Sequence, residues 1–208
     1  MHLNEPSGPR SLADPTMIEV RKQLLHQPHF APLRDFAAAL RRSGEGEVPD
    51  FDPLDGGVDA RALFLFEKPG PMTDPNRRGA RLGSGFVSRD NDDDTAEAIF
   101  RFMQIAGLAR HDVIIWNTVP RWNGTRKIAA EEMHEAAQVL DGLIELLPRL
   151  SVVVLVGKRA QRTRPVFEKR RPSLPFYSSA HPSPIARASR RALWDDIPNE
   201  WTKACAHL

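Results

Sequence analysis

VVVLVG, residues 152–157, is an unbroken apolar run that ends on glycine and passes directly into an amphipathic segment at about 158–170. A run without polar alternation needs apolar cover on both faces, which is the condition of a strand inside a parallel sheet. Three further runs repeat the pattern: ALFLF at 62–66, DVIIW at 112–116 and FYSSA at 176–180. Amphipathic segments lie between them at about 94–107 and 131–147. In the second of these, Met133, Ala136, Ala137, Leu140, Leu143, Ile144 and Leu147 keep to one helical face. Strands alternating with helices predict an α/β fold of three layers, α/β/α, around a central four-stranded, mainly parallel sheet.

Upstream the pattern is different. Residues 1–13 read as a loose tail. Asp14-Pro15 predicts a capped helix start with proline in the first turn, followed by Met17, Ile18, Arg21, Leu24 and Leu25 on a mostly apolar face. A second helix is expected over 33–42, with Leu33, Phe36, Ala37 and Leu40 inward. The stretch SGEGEVPDFDPLDGG, 43–57, reads as a connecting loop. Residues 1–57 therefore form a tail, a helical arm and a loop attached to an α/β domain at 58–208, the whole expected to be one compact unit.

Composition narrows the classes. At 208 residues the chain can bury a full core. Its net charge of +2 does not by itself mark a nucleic-acid binder, so any electrostatic case rests on where the arginines sit. Cys205 is the single cysteine, which excludes an internal disulfide and any four-cysteine zinc or iron–sulfur site within one chain. No signal-peptide pattern opens the sequence, and no apolar run approaches the roughly 18–20 residues of a membrane span. A reduced, cytoplasmic monomer with no membrane partner is expected.

In parallel α/β sheets, ligands bind just beyond the carboxyl ends of the strands. That rule selects Glu67-Lys68-Pro69-Gly70, Asn117-Thr118-Val119-Pro120, Gly157-Lys158 and His181-Pro182-Ser183-Pro184. An unrelated α/β hydrolase or nucleotide-binding protein has little support. The chain has no G-x-S-x-G elbow, no phosphate-binding G-x-x-x-x-G-K-[ST] and no G-x-G-x-x-G, and GARLGSG at 79–85 is only a loose glycine cluster.

In order and spacing, the four strand ends resemble the uracil-DNA glycosylase superfamily over roughly residues 60–191. HPSP with the following isoleucine, 181–185, resembles that family's DNA-intercalation loop. WNTVP at 116–120 resembles the strand end whose asparagine reads uracil. FEKPGPMTD at 66–74 resembles the first motif in the G-E-A-P-G-x-x-E-D form of the iron–sulfur branch, and VGKRAQ at 156–161 resembles the phosphate loop. The resemblance implies a monofunctional glycosylase, needing no metal or organic cofactor, that hydrolyses the base–deoxyribose bond in DNA containing uracil or other deaminated bases.

It also implies roles. His181 donates a hydrogen bond to the departing base, Asn117 reads the base edge, and Phe86 in GSGFVSRD stacks on the ring. Ile185, on a loop stiffened by Pro182 and Pro184, fills the space the flipped base leaves. Backbone amides near Ser183 and Gly157, with Lys158, Arg187 and Arg190, hold flanking phosphates.

The departures are equally informative. Lys68 stands where the best-known members carry an aspartate or asparagine that orients the attacking water, and Phe66 replaces the opening glycine. An ammonium group only donates, so the water would fall to Glu67 first or Asp74 second. Lys68 also leaves open covalent catalysis by a desolvated lysine; separately, the loss of the usual water-orienting residue leaves open a family member that binds uracil-containing or damaged DNA without turnover. Gly70 occupies the position held by tyrosine in the most uracil-selective branch, which implies a pocket that tolerates hypoxanthine or xanthine. The four cysteines of the iron–sulfur branch are absent, and the helical arm is a candidate brace in place of the cluster.

Overall fold

The computed structural model describes Pro6 and residues 8–208. Its strands are β1 (Asp50–Phe51), β2 (Ala62–Phe66), β3 (Phe86–Val87), β4 (Val113–Asn117), β5 (Val152–Val156) and β6 (Phe176–Ser179). Four of them form one sheet in the order β4-β2-β5-β6, and every pairing in it is parallel. β2, β4 and β5 are buried at every residue, as unbroken apolar runs require.

Strand register assigns the faces. Leu65 pairs with Trp116, and Trp116 stacks on Phe51 with ring centroids 3.7 Å apart. Phe36 of α2 (Ala31–Arg42) lies 6.4 Å from both rings. Gly142 of α4 (Ala130–Glu145) backs onto that same Phe36 ring. On this face too, Phe167 of α6 (Arg164–Arg170) meets Phe176 of β6 at 6.1 Å. Phe64 points the other way, edge-on to Trp201 of the C-terminal helix Ile197–Thr202 at 5.0 Å. Trp201 in turn meets Phe102 of α3 (Asp94–Ile105) at 6.0 Å. Helices thus cover both sides of the sheet, giving the expected three layers.

The sequence-based boundaries shift in three places. The helix expected over 158–170 is broken into α5 (Lys158–Gln161) and α6, because Pro165 in the first turn of α6 has no N–H to continue the ladder. The 43–57 loop contains β1, which pairs in parallel with β3. Residues 8–13 are not loose: Leu12 is buried and its N–H bonds to Asp90 O at 3.1 Å, while Arg10 reaches Asp92, Asp94 and Glu97. The rest of that predicted tail, residues 1–5 and 7, lies outside the described residues. Among the described residues no helix is long and apolar enough to cross a membrane.

The arm is fastened by charge. Asp14 caps α1 (Pro15–Leu24), accepting the Thr16 N–H at 2.8 Å. From α1, Arg21 reaches Asp52 at 2.6 Å and Asp90 at 2.5 Å. Arg110 reaches the same two carboxylates, at 2.6 and 2.9 Å, and Arg89 lies 3.4 Å from Asp55. All six residues are buried. Burial alone would raise the Asp52 carboxyl, but Arg21, Arg110 and a hydrogen bond from Ser88 outweigh it and hold Asp52 well below the usual carboxylate range. For Asp55 burial wins, and its carboxyl is pushed up to about 7.

Candidate active site

At the carboxyl edge of the sheet lies a cavity of about 400 Å³, lined by residues from all the predicted strand ends except Gly157-Lys158. Asn117, the last residue of β4, reaches into it. Its backbone is pinned because the ladder continues past the strand, with Thr118 N–H bonding to Phe66 O at 2.8 Å and Val119 N–H to Glu67 O at 2.9 Å. Among the described residues the Asn117 side-chain amide has no protein partner, although the residue is only 4% exposed. Both a donor and an acceptor therefore face the cavity.

His181 lines the same cavity, with its ring edge-on to Phe66 at 5.7 Å. Burial lowers its pKa; the nearby Glu67 charge opposes that shift and the Arg126 charge reinforces it, and the net direction is down. The imidazole is accordingly neutral near pH 7 and retains one N–H to donate.

Glu67 follows β2 but does not line the cavity. Its Oε1 accepts the Arg159 N–H at 2.9 Å. Gly157 passes so close that a Cβ there would sit 2.6 Å from that oxygen, and its φ of +93° is itself a glycine conformation. The carboxylate is thus fixed between β2 and α5, near enough for its charge to act on His181. Asp74, the second choice for the water, is a turn residue instead. Its Oδ1 accepts the Asn76 N–H at 2.8 Å, and it is not part of the cavity wall.

Phe86 also departs from expectation. It is 1% exposed and packs with Leu12, Ile18 and Leu25 of the arm, not in the cavity. Pairing of β3 with β1 turns the ring toward the arm, whose apolar face would otherwise lack a partner. Phe66, Met72 and Ile99 supply apolar wall in its place. Gly70 does line the cavity, and a Cβ there would meet nothing within 4 Å, so the space opposite is open.

The 181–185 segment turns directly into α7 (Pro184–Ser189). Ser183 caps it, accepting the Ala186 N–H at 3.2 Å, and Pro184 occupies the first turn. Ile185 projects from this start at the cavity rim, 71% exposed, and so is not a core residue. Arg187 lies over the Trp194 ring at 5.0 Å, while Arg190 and Lys158 are exposed.

Lys68 is not free for chemistry. Its side chain is 2% exposed, and Nζ donates to Asn123 Oδ1 at 2.9 Å, Lys127 O at 3.0 Å and Glu132 Oε1 at 2.6 Å. An ammonium group with three donors and three acceptors has none left for substrate.

Several wall residues escaped the sequence reading. Ser88, Asn91, Asp93 and Arg126 all line the cavity. Asn91 and Asp93 are internally engaged, the first with Ser84 and Phe86 and the second as the cap of α3. Arg126 lies only a few residues beyond the WNTVP strand end, and that proximity was the signal available for it.

A family model described as the uracil DNA glycosylase superfamily matches residues 58–205. No curated protein matches the chain. Among solved structures, the crystal structure of wild-type Pedobacter heparinus SMUG2 is similar at 13% identity, covering 71% of this chain and 75% of that one, with a TM-score of 0.48.

Proposed function

The chain belongs to the uracil DNA glycosylase superfamily, and on that premise we propose that it is a monofunctional DNA glycosylase that excises uracil and other deaminated bases. The observation that carries this reading is the convergence of Asn117 and His181 on one cavity with exposed Ile185 at its rim. A base flipped out of the duplex enters the cavity, and the unpartnered Asn117 amide offers its oxygen to the base N3–H and its N–H to the base O4. Ile185 occupies the vacated stack, offsetting part of the few kcal/mol that flipping costs.

As the C1′–N1 bond lengthens, its electron pair moves to the base and negative charge gathers on O2. Neutral His181 donates its N–H there, a preorganised donor in a poorly hydrated site. Water then bonds to C1′, and its proton passes by way of a carboxylate to the departed base anion, leaving an abasic site and the free, neutral base. Glu67 is the carboxylate that serves this water, through the oxygen not held by Arg159. Lys68 forms no Schiff base, because its three acceptors occupy it, so no strand cleavage accompanies base release. Open space beside Gly70 admits bases larger than uracil, hypoxanthine and xanthine among them.

One observation favours a second reading, a protein that binds lesions without turnover: Glu67 does not itself line the cavity. Incubation with uracil-containing duplex separates the two. Free uracil and an alkali-labile site, lost in His181→Ala and Asn117→Ala, support the enzyme. A retarded complex with every glycosidic bond intact refutes it.

A further inference from the structure

The loop after WNTVP carries an unexplained cation. Arg126 is exposed, lines the cavity together with His181 and Ile185, and makes no ion pair among the described residues. The loop that bears it is nonetheless held firmly. Lys68, buried beneath, ties Asn123, the Lys127 carbonyl and Glu132 to the end of β2. Glu132 adds a second hold: its Oε2 accepts the Ala129 N–H at 2.8 Å, and its Oε1 accepts Asn123 Nδ2 at 3.2 Å. A buried lysine and a shared carboxylate thus immobilise a short exposed segment, NGTRK at 123–127.

We propose that Arg126 binds a backbone phosphate next to the flipped nucleotide, and that Lys68 is the positioning residue that holds Arg126 at the cavity mouth. The inference rests on the glycosylase reading above. When a nucleotide turns into a cavity, its own phosphates must cross the rim, and the rim is where this guanidinium stands. A planar fork of five donors suits a phosphate, and an exposed cation gives up little hydration to make the contact. Position also sets Arg126 apart from Arg187 and Arg190. Those two follow the wedge on α7, whereas Arg126 approaches from the β4 side, so the strand is gripped at two separate points. The lysine in the first motif thereby has a use that its chemistry as a pure donor allows.

The test measures affinity for a short duplex carrying a tetrahydrofuran abasic analogue across a salt series, with single-turnover uracil release at saturating enzyme alongside. Arg126→Gln should lower the slope of log K against log salt by about 0.9 and raise Kd about eightfold near 0.1 M salt, the effect of losing one phosphate contact. Lys68→Met should show the same loss of slope. Should that variant fail to fold, Glu132→Gln, which weakens the same tie between Lys68 and the loop, should show the loss of slope in its place, and an unchanged slope there removes the positioning role from Lys68. An unchanged slope in Arg126→Gln overturns the proposal. So does a fall in saturating rate at unchanged slope, which would assign Arg126 to the departing base. A wild-type protein that neither binds nor processes the DNA would instead bring down the glycosylase reading, and this inference with it.

Discussion

Replacing Arg21 with methionine should be among the most destabilising single changes in the chain, and its cost should depend on pH. The side chain is 1% exposed and bonds Asp52 at 2.6 Å and Asp90 at 2.5 Å. Near pH 8, above the value of about 7 to which burial pushes Asp55, three arginines face three ionised aspartates. Removing Arg21 leaves one buried negative charge uncompensated, while methionine preserves most of the apolar stem. Breaking a buried pair in this way costs about 3–5 kcal/mol. For a chain of this size that is a fall in Tm of roughly 6–20 °C. Near pH 6 Asp55 holds a proton, so the remaining charges balance and the loss should be smaller. Thermal melts followed by circular dichroism at both pH values provide the assay, with Asp90→Asn and the double variant closing a cycle. A Tm shift below about 2 °C at pH 8, or a larger shift at pH 6 than at pH 8, would refute the account of the cluster.

Asp55 alone gives a related expectation. Its folded pKa stands above its ordinary value, so the folded state keeps a proton that the unfolded chain releases. That stabilisation is complete below about pH 4 and is lost as pH rises through about 7. Asp55→Asn should flatten the decline in denaturation midpoint between about pH 5 and pH 8. For activity, the lowered His181 pKa predicts that base release persists below about pH 6.5, where an ordinary histidine would charge, and falls only under more acid conditions; a pH–rate profile breaking at or above that point counts against a buried neutral donor. Gly70→Tyr should fill the open space beside the base, sparing uracil release while cutting hypoxanthine and xanthine release about tenfold or more, as competition among matched duplexes would show. Ile185→Ala should slow release from duplex about tenfold while leaving single-stranded substrate nearly unaffected, because only the duplex must be held open; equal losses on both would dismiss the wedge.

The sheet was legible because its strands are written as unbroken apolar runs, and the site edge followed from what stands after each run. Asn117 and His181 could be placed that way because a strand end dictates where its next residue points. Phe86 could not. Its ring direction depends on β1 pairing with β3, two residues against two, and on an arm face formed much earlier in the chain. The ion cluster was equally hidden, since Asp52, Asp90 and Arg110 follow no period. Its one sequence trace is Arg21, a charge on an otherwise apolar helix face. Lys68 read as a missing catalytic group, because the residues that engage it lie 55 to 64 positions away.

The ion cluster also straddles a border. The family likeness begins at residue 58, whereas Arg21, Asp52 and Asp55 precede it and Arg89, Asp90 and Arg110 follow. A protein trimmed to the recognisable domain would keep two buried arginines against one aspartate and would open the seat of Phe86. Such a fragment should aggregate or melt rather than work, although every residue assigned to base release would be present. For anyone expressing, shortening or grafting this protein, the stretch that matches the family and the stretch tied together by buried charge have different bounds.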